Sequence, residues 1–421
     1  MSVPFKGKTS VAALVSKLAG EETPLSAMIE IADRCNEKCV HCYQVQGQKG
    51  EMTTEEIFGV LDELAEMGVL FLTISGGEAT LRKDFLDIVA YARKKKFAVK
   101  LFTNGLKVTR ELASKLGELA VQEVQISLYS SHANVHDWVT NVPGSWEKTT
   151  AAARYLVDAG VKVVLKTPVM RINEDDTDEF IALCEEIGTD YMFDPGELMP
   201  REDGARAPQA LSRSAVASMR LRKNPRLVPN AKAEFRAPRL EASPCGACKS
   251  IHIEANGELR PCTALTLPIG HARDGVQKSW RDNEEAVFIR SLRWKDILGC
   301  RDCDLHPYCV RCHQTSRVEG GDALAPYPSA CRGALQRYAR ALGYDPESAG
   351  VLGPFREVQR GRLEMLPVRE TERDRELRRR HAWIRATPSE ATEPVVPGST
   401  ATLVRPGGIQ RSEKVPLPVV P

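Results

Sequence analysis

Short strand-like runs alternate with helical patterns six times between residues 26 and 195, and this alternation constrains the fold most strongly. The predicted strands, rich in β-branched and other apolar residues, cover 28–32, 71–75, 98–102, 123–128, 162–169 and 191–194. Repeated strand–helix units predict a parallel sheet with right-handed crossovers. Six units are too few for a closed eight-stranded barrel, so the pattern fits either an open barrel or a doubly wound sheet.

The first helix between these strands is predicted over 54–67. Ile57, Leu61 and Leu64 share one face of it, as expected for a helix that packs on a sheet. Thr53 or Thr54, followed closely by glutamates, provides a plausible start.

Eleven of the twelve cysteines fall into two clusters, at 35–42 and 245–331, and only Cys184 stands alone. Cys184 lies in a helical pattern and is interpreted as a small buried hydrophobic residue. Lys17 and Glu21 interrupt the only short apolar stretch near the amino terminus, so no signal peptide is indicated. A cytoplasmic location is therefore expected, and clustered cysteines in that reducing compartment predict metal ligands rather than disulfides.

Composition excludes several other classes of protein. Hydrophobic residues make up 42% of the chain, charged residues 27%, and the formal net charge is +2. This balance gives no basis for binding nucleic acid or an anionic membrane surface. No run approaches the roughly 18 apolar residues that cross a bilayer.

The composition also predicts a domain organisation. Residues 1–24 form a short extension, 25–210 the strand–helix unit, and 211–239 a linker rich in Arg, Pro and Ala. Residues 240–345 form a cysteine-rich unit with little strand or helix signal before 334–342 and little apolar material, so bound metal should hold it together. Residues 346–421 form a charged and then Pro-rich tail, largely disordered, with a basic helix possible over 369–386.

Cys35, Cys39 and Cys42 directly follow the first predicted strand, where α/β proteins place their chemistry. Three close thiolates can bind three corners of a 4Fe–4S cluster and leave one iron open. The open iron can bind S-adenosylmethionine (SAM), whose reductive cleavage yields a 5′-deoxyadenosyl radical. The alternative is a zinc site that includes His41, but adjacent His41 and Cys42 do not easily face the same tetrahedral ion.

The Cys-x₃-Cys-x₂-Cys arrangement resembles the signature of the radical SAM superfamily. Gly76-Gly77-Glu78, at the end of the second strand, resembles the family's GGE motif, which holds the amino group of SAM. In physical terms, glycines let the backbone approach a ligand and a glutamate accepts from an ammonium. The resemblance further implies that Asn104 and Ser127 contact the nucleoside, with Ser127 near the ribose. Read without the resemblance, Asn104-Gly105 is a turn and Ser127 a satisfied strand hydroxyl.

Lys166, in the fifth strand, could meet the carboxylate of SAM if it points inward, and otherwise is a strand-edge lysine.

Eight further cysteines make two complete Cys₄ sets, and their order resembles the SPASM extension with its two auxiliary 4Fe–4S clusters. The resemblance implies one set of Cys245, Cys248, Cys262 and Cys312, and a second of Cys300, Cys303, Cys309 and Cys331. The spacing of Cys309 and Cys312 departs from the usual pattern by one residue. Zinc ribbons use the same Cys-x₂-Cys pairs and are the competing interpretation.

The resemblance covers about residues 26–195 and 240–335, and it implies a partial (β/α)₆ barrel followed by the SPASM domain. It also implies three 4Fe–4S clusters, SAM, and an electron donor such as flavodoxin or ferredoxin. The leading hypothesis is oxidative modification of a ribosomally made precursor peptide by a thioether or carbon–carbon crosslink. The 126–145 segment is especially similar to family members that act on small peptides.

Three alternatives stay open: a sulfatase-type maturase, a radical enzyme acting on a sugar or other small molecule, and a non-catalytic zinc scaffold. Sulfatase-type maturases carry an acidic residue directly after the cysteine that matches Cys262. Here that residue is Thr263, which argues against this function. Residues 1–24 are too few for a winged-helix leader-binding domain, so leader recognition is expected from a separate protein or from the tail. No catalytic acid or base is assigned; His132, His136 and Asp137 follow the fourth strand and are weak candidates.

Overall fold

Six parallel strands in chain order form the centre of the computed structural model, which describes residues 24–194, 198, 201, 211, 240–303, 305–341 and 370–385. The strands are β1 (Ser26–Glu30), β2 (Phe71–Ser75), β3 (Ala98–Thr103), β4 (Glu123–Ser127), β5 (Val163–Pro168) and β6 (Asp190–Asp194). Each pairs in parallel with the next. The predicted parallel sheet is therefore confirmed, and each observed strand overlaps the predicted one.

Helices connect consecutive strands and cover one face of the sheet. They are α1 (Thr54–Glu66), α2 (Phe85–Lys94), α3 (Arg110–Glu118), α4 (Ala133–Thr140), α5 (Ser145–Asp158) and α6 (Thr177–Ile187). The start of α1 is a complete capping box: the Thr53 hydroxyl accepts from Glu56 N, and the Glu56 carboxylate accepts from Thr53 N. Alternate strand residues, such as Leu101 and Ile126, are buried against these helices. This is the architecture of a partial (β/α)₆ barrel.

The cysteine-rich region continues the same sheet. Strand β7 (Ile251–Ile253) pairs in parallel with β1, and β8 (Glu258–Arg260) and β9 (Gly270–His271) follow as antiparallel neighbours. The full order is β6-β5-β4-β3-β2-β1-β7-β8-β9. The buried His252 imidazole lies 3.6 Å from the buried Glu30 carboxylate on β1. The cysteine-rich unit is therefore joined to the barrel by backbone pairing and by a side-chain contact.

The expectation that this unit has little regular structure or apolar material is wrong. It contains α7 (Val276–Asp282), α8 (Glu284–Ser291), α9 (His313–Gly320) and α10 (Pro328–Ala341), and α10 overlaps the predicted 334–342 helix. Trp280 and Trp294 are both 1% exposed within its core. The strands here have only two or three residues and several helices only seven or eight, which is too short for either period to be seen.

Part of the segment assigned to the tail is folded onto the cysteine-rich unit. Helix α11 (Glu372–Arg380), which lies in the predicted 369–386 range, begins with a capping box between Thr371 and Asp374. The Arg378 guanidinium donates to Asp322 at 2.6 Å, and the Trp383 indole donates to Glu285 at 2.7 Å. Segment 370–385 is therefore a clasp across residues 284–324.

The predictions for the 1–23 extension, for nearly all of the 211–239 linker and for the 346–369 and 386–421 parts of the tail lie outside the described residues. Within the described ranges, no helix combines the length and the apolar character needed to cross a bilayer.

Candidate active site

The first three cysteines lie on a loop that leaves the carboxyl end of β1. Two backbone hydrogen bonds fasten this loop to α4: Lys38 N donates to Thr140 O at 3.0 Å, and Val40 N donates to Val139 O at 2.9 Å. Gly47 N donates to Asp33 O at 3.0 Å and closes the loop. The carboxyl ends of parallel strands meet at one edge of a barrel, so the loop stands beside the ends of β2, β3 and β4.

N–H donors surround two of the three thiols. Cys35 Sγ accepts from Glu37 N at 3.4 Å and lies 3.8 Å from Asn104 Nδ2, while Cys42 Sγ lies 3.6 Å from Gln46 Nε2. Burial raises the pKa of the free Cys35 thiol to about 12, and it also raises that of Cys39. A bound metal cation reverses this effect of burial and favours the thiolate, because metal coordination deprotonates a thiol. The donors and the buried thiols therefore fit a metal cluster that is bound through thiolates.

Glu37 and Tyr129 frame Cys39 and were not singled out from the sequence. Cys39 Sγ lies 3.2 Å from Glu37 Oε2 and 3.7 Å from the Tyr129 hydroxyl. Burial raises the pKa of Glu37 to about 7, and its buried Oε1 has no hydrogen-bond partner in the described part of the chain. The available signal was position: Glu37 lies between two of the cysteines, and Tyr129 follows the end of β4 by two residues.

His41 packs against protein rather than standing free beside the thiols. Its ring lies edge-on to Tyr129, with 4.7 Å between ring centroids, and His136 stacks on the same tyrosine at 5.4 Å. Burial lowers the pKa of both imidazoles to about 4, so both are neutral near pH 7. His136 Nδ1 accepts from Tyr129 N at 3.1 Å, which gives it a structural role.

The other two weak candidates also have structural partners. Asp137 accepts hydrogen bonds from Gly144 N, Ser145 Oγ and Trp146 N, and so holds the start of α5. The exposed His132 imidazole lies 2.7 Å from the Glu179 carboxylate.

Gly76 and Gly77 lie against the backbone that leads into the cysteine loop. A Cβ atom at Gly76 would stand 2.4 Å from Ala32 O, and one at Gly77 would stand 2.5 Å from Arg34 O. Gly77 N donates to Ala32 O at 2.7 Å. The two glycines are therefore in close contact with the backbone of residues 32–34. Their conformational freedom was expected from the sequence, but this neighbour was not.

The Glu78 carboxylate joins the ends of β2 and β3. Its Oε1 accepts from Thr80 N at 3.1 Å and from Thr103 Oγ1 at 2.7 Å, and its Oε2 accepts from Asn104 N at 2.7 Å. The residue is 1% exposed. Oε2 keeps a lone pair for a further donor, since a carboxylate oxygen accepts two hydrogen bonds.

Asn104 and Ser127 lie at the ends of the next two strands. Asn104 Nδ2 donates to Asn36 Oδ1 at 2.8 Å, and its Oδ1 accepts from Leu106 N, which makes the local turn that its sequence indicated. Ser127 hydrogen-bonds with the Tyr129 side chain. The structure thus brings the three cysteines, Glu78 and Asn104 together at one edge of the barrel, with Ser127 joined to them through Tyr129.

Lys166 points into the barrel, away from the helices that cover Val163 and Leu165 on the same strand. Its Nζ lies 3.9 Å from the centroid of the Phe102 ring. Burial lowers the pKa of Lys166, and the nearby Asp194 carboxylate opposes that shift. Of the two orientations considered for Lys166 from the sequence, the structure therefore shows the inward one.

The other eight thiols form two groups. Cys245, Cys248, Cys262 and Cys312 interact electrostatically with one another, and so do Cys300, Cys303, Cys309 and Cys331. In each group burial is the main cause of raised thiol pKa values, and repulsion between members adds to it. We call these the first and second thiol groups. Their membership agrees with the two sets that the SPASM resemblance implied.

The β7–β8 hairpin assembles most of the first thiol group. Cys248 comes just before β7, Cys262 just after β8, and Cys248 N donates to Pro261 O at 2.7 Å across the hairpin. Cys248 has a φ of 54°, a left-handed conformation that is uncommon outside glycine. Cys262 Sγ accepts from Leu265 N at 3.4 Å. Closely grouped thiols with N–H donors to sulfur again fit bound metal clusters.

Residues 29–184 match the model of the Radical SAM superfamily, so the chain carries a radical SAM domain. A mycofactocin maturase, MftC of Mycolicibacterium smegmatis, is 37% identical over 172 residues. That match covers 40% of this chain and 44% of the maturase, so the chain spans less than half the length of this relative. An AdoMet-dependent heme synthase of Methanosarcina barkeri is 26% identical over 329 residues, which cover 71% of this chain and 94% of that protein.

Solved structures share the fold at low sequence identity. Streptococcus suis SuiB bound to its precursor peptide SuiA superposes with a TM-score of 0.56 at 16% identity, covering 71% of this chain and 75% of SuiB. Native anSMEcpe with bound AdoMet and the Kp18Cys peptide superposes with a TM-score of 0.58 at 17% identity, covering 76% and 98% of the two chains. Both matches extend well beyond the length of the radical SAM domain.

Proposed function

We propose that this protein is a radical SAM enzyme that oxidatively modifies a ribosomally made peptide by forming a thioether or carbon–carbon crosslink. The observation that carries the proposal is the 37% identity to a mycofactocin maturase over 172 residues. The fold shared with SuiB, which was solved with a precursor peptide, supports it.

In this proposal Cys35, Cys39 and Cys42 hold a site-open 4Fe–4S cluster, and the two thiol groups hold two auxiliary 4Fe–4S clusters. When bound, the first cluster supplies the electron that cleaves SAM, and the auxiliary clusters supply an acceptor for the electron that leaves the substrate. The buried thiols and their N–H donors support bound metal, and the radical SAM domain in the same chain favours iron–sulfur clusters over zinc. An iron count near twelve in anaerobically purified protein is expected, whereas about four irons with two zincs contradict it.

The residues around the loop would bind and orient SAM. Gly76 and Gly77 hold the strand end against the cysteine loop, and Glu78 Oε2 would accept from the amino group of SAM while keeping its bond to Asn104 N. Ser127, joined to Tyr129, would contact the ribose. Lys166 would stand on the inner face of the barrel as a cation for a carboxylate of SAM or substrate.

Crosslinking removes two hydrogens from the peptide. One leaves as a hydrogen atom to the 5′-deoxyadenosyl radical, and closure of the new bond releases one proton and one electron. The candidate site lies at the carboxyl ends of β1 to β4, and the sheet ends at β6, which among the described strands pairs only with β5. An open sheet of this kind suits an extended substrate better than a closed barrel does.

The test is co-expression with short cysteine-containing reading frames encoded beside this one, followed by peptide mass spectrometry. Loss of two hydrogens is expected, and Cys39→Ala should abolish it. Cys184→Ala is the matched control, because Cys184 is buried in α6 away from every thiol group. An unchanged peptide mass with enzyme that cleaves SAM contradicts the proposal.

Two partners belong to the proposal: a separate leader-binding protein, and flavodoxin or ferredoxin as electron donor. The first predicts that the isolated enzyme binds the core peptide weakly until that protein is added. The second predicts that reduced flavodoxin or ferredoxin supports SAM cleavage.

A second candidate is a small-molecule reaction. It is favoured by the alignment with an AdoMet-dependent heme synthase, which extends over 71% of this chain and nearly all of that protein. Incubation with an iron porphyrin decides between the two: a change in porphyrin mass with SAM consumption favours this candidate, and an unchanged porphyrin favours the peptide.

A further inference from the structure

Arg311 occupies an unusual position in the cysteine-rich unit. It lies between Cys309, which belongs to the second thiol group, and Cys312, which belongs to the first. The chain crosses from one group to the other at this point, and Arg311 is only 5% exposed.

Among the described residues, hydrogen-bond partners are found for only one end of the Arg311 guanidinium. Nη2 donates to Ser316 Oγ at 3.0 Å, to Ala323 O at 2.6 Å and to Ala325 O at 3.2 Å. Nε and Nη1 are buried and have no hydrogen-bond partner among the described residues. Buried N–H groups of a charged side chain are costly to leave unpaired.

Two other arginines with buried side chains are paired with carboxylates. Arg82 binds Asp84 at 2.6 Å, and Arg378 binds Asp322 at 2.6 Å. Arg311 has no carboxylate partner within the described ranges. A buried cation without an anion is strongly destabilising, so a negative charge is expected to accompany Arg311 in the functional protein.

The thiols of both groups are a source of that charge. Arg311 lies two residues after Cys309 and directly before Cys312, and it interacts electrostatically with Cys245 in the first group and with Cys300 and Cys309 in the second. A 4Fe–4S cluster held by four thiolates is a buried anion, and hydrogen bonds to its sulfurs and nearby charge both set its reduction potential.

We infer that Arg311 is a positioning residue shared by the two auxiliary clusters, and that its Nε and Nη1 donate hydrogen bonds to cluster or cysteine sulfur. This inference rests on the proposed presence of those clusters. A cation shared by two anionic clusters makes the addition of an electron to either one easier. Arg311 therefore raises the reduction potentials of both auxiliary clusters, so that one side chain influences both electron acceptors.

The test measures reduction potentials by electron paramagnetic resonance during redox titration of the full-length, cluster-loaded enzyme. In Arg311→Met the potentials of both auxiliary clusters should shift to more negative values, while that of the SAM-binding cluster stays unchanged. Arg273→Met is the control. Arg273 is an exposed arginine of the same unit whose guanidinium is paired with Glu56 of α1 at 2.7 Å, so its loss should leave the potentials in place.

Unchanged potentials in an Arg311→Met protein that retains about twelve irons overturn the inference, and so does a shift in only one auxiliary cluster. If that variant does not retain its iron, the inference is tested on wild-type enzyme that carries ¹⁵N only in its arginine guanidinium groups. Pulsed electron paramagnetic resonance should show ¹⁵N coupling to both auxiliary clusters, and Arg311→Lys should lose it while keeping the charge. No coupling in the wild type overturns the inference.

Failure of the cluster assignment itself would be visible separately. Wild-type protein with about four irons and two zincs contradicts the proposed auxiliary clusters and removes the role of Arg311 with them.

Discussion

The Glu78 carboxylate accepts a 2.7 Å hydrogen bond from the backbone N–H of Asn104. Two residues expected to contact SAM are thus bound to each other, and this hydrogen bond holds the ends of β2 and β3 together. A preformed carboxylate of this kind loses little freedom when a ligand arrives, which favours binding.

Glu78→Gln should weaken both the fold and the binding of SAM. If the side-chain nitrogen faces Asn104 N–H, two donors oppose each other. If it faces Thr103 and Thr80, it opposes the backbone N–H of Thr80, and the two hydroxyls must reorient. We expect a loss of about 1–3 kcal/mol in the free energy of unfolding and a SAM affinity at least about tenfold lower. Urea unfolding and equilibrium dialysis with cluster-loaded protein measure the two effects. Glu66→Gln, at an exposed position of α1, should change neither.

Gly77→Ala should displace the cysteine loop, because its Cβ would meet Arg34 O at 2.5 Å and backbone cannot move aside like a flexible side chain. We expect loss of the SAM-binding cluster, about four irons, with the other irons retained. Iron analysis of anaerobically purified protein measures this. Gly59→Ala is the control, because a Cβ there meets nothing within 4 Å. It should stabilise α1 by about 0.5–1 kcal/mol. Full iron content in Gly77→Ala would show that the contact is not required.

Asp374→Asn should loosen the 370–385 clasp. Burial alone would raise the pKa of Asp374, but hydrogen bonds from Arg301 and Thr371 lower it to about 2. Because the folded pKa lies below the unfolded value, the stabilisation is present above about pH 4 and is lost as the pH falls towards 2. We expect the variant to be less stable by about 2 kcal/mol at pH 7.

The difference between Asp374→Asn and the wild type should therefore narrow below about pH 4. Urea unfolding at pH 7 and pH 3, followed by tryptophan fluorescence, measures it. Glu376→Gln, at an exposed position of the same helix, is the control. A difference that stays constant with pH would mean that ionisation of Asp374 does not hold the clasp.

Removal of iron should affect the cysteine-rich unit unevenly. The loops that carry Cys300, Cys309 and Cys312 have little regular structure, so their backbone should lose protection from hydrogen exchange. Strand β7 should keep its protection, since it pairs with β1, and α7 should keep it because Trp280 is buried in the core. Hydrogen exchange with and without an iron chelator tests this. Loss of protection throughout residues 245–331 would show that metal holds the whole unit together.

Much of the fold was predictable because it depends on local pattern. The six strand–helix units have five- or six-residue strands and helices with one apolar face, and such elements are long enough for their period to be recognised. The cysteine-rich unit was described poorly for the opposite reason. A strand such as Ile251–Ile253 is too short to show alternation, and its pairing with β1 spans more than 220 residues of sequence.

The sequence by itself determined the spacing of the three cysteines of the first loop, the position of the glycines and Glu78 after β2, and the presence of eight later cysteines. The membership of the two sets of four came from the SPASM resemblance. Spacing and residue chemistry are local properties, and a motif records them directly. Only the tertiary structure decided what stands beside these residues: Tyr129 and Glu37 against Cys39, the residue 32–34 backbone against Gly76 and Gly77, and Arg311 between the two thiol groups. Such neighbours come together through packing of distant segments, and burial and unpaired donors exist only after that packing has formed.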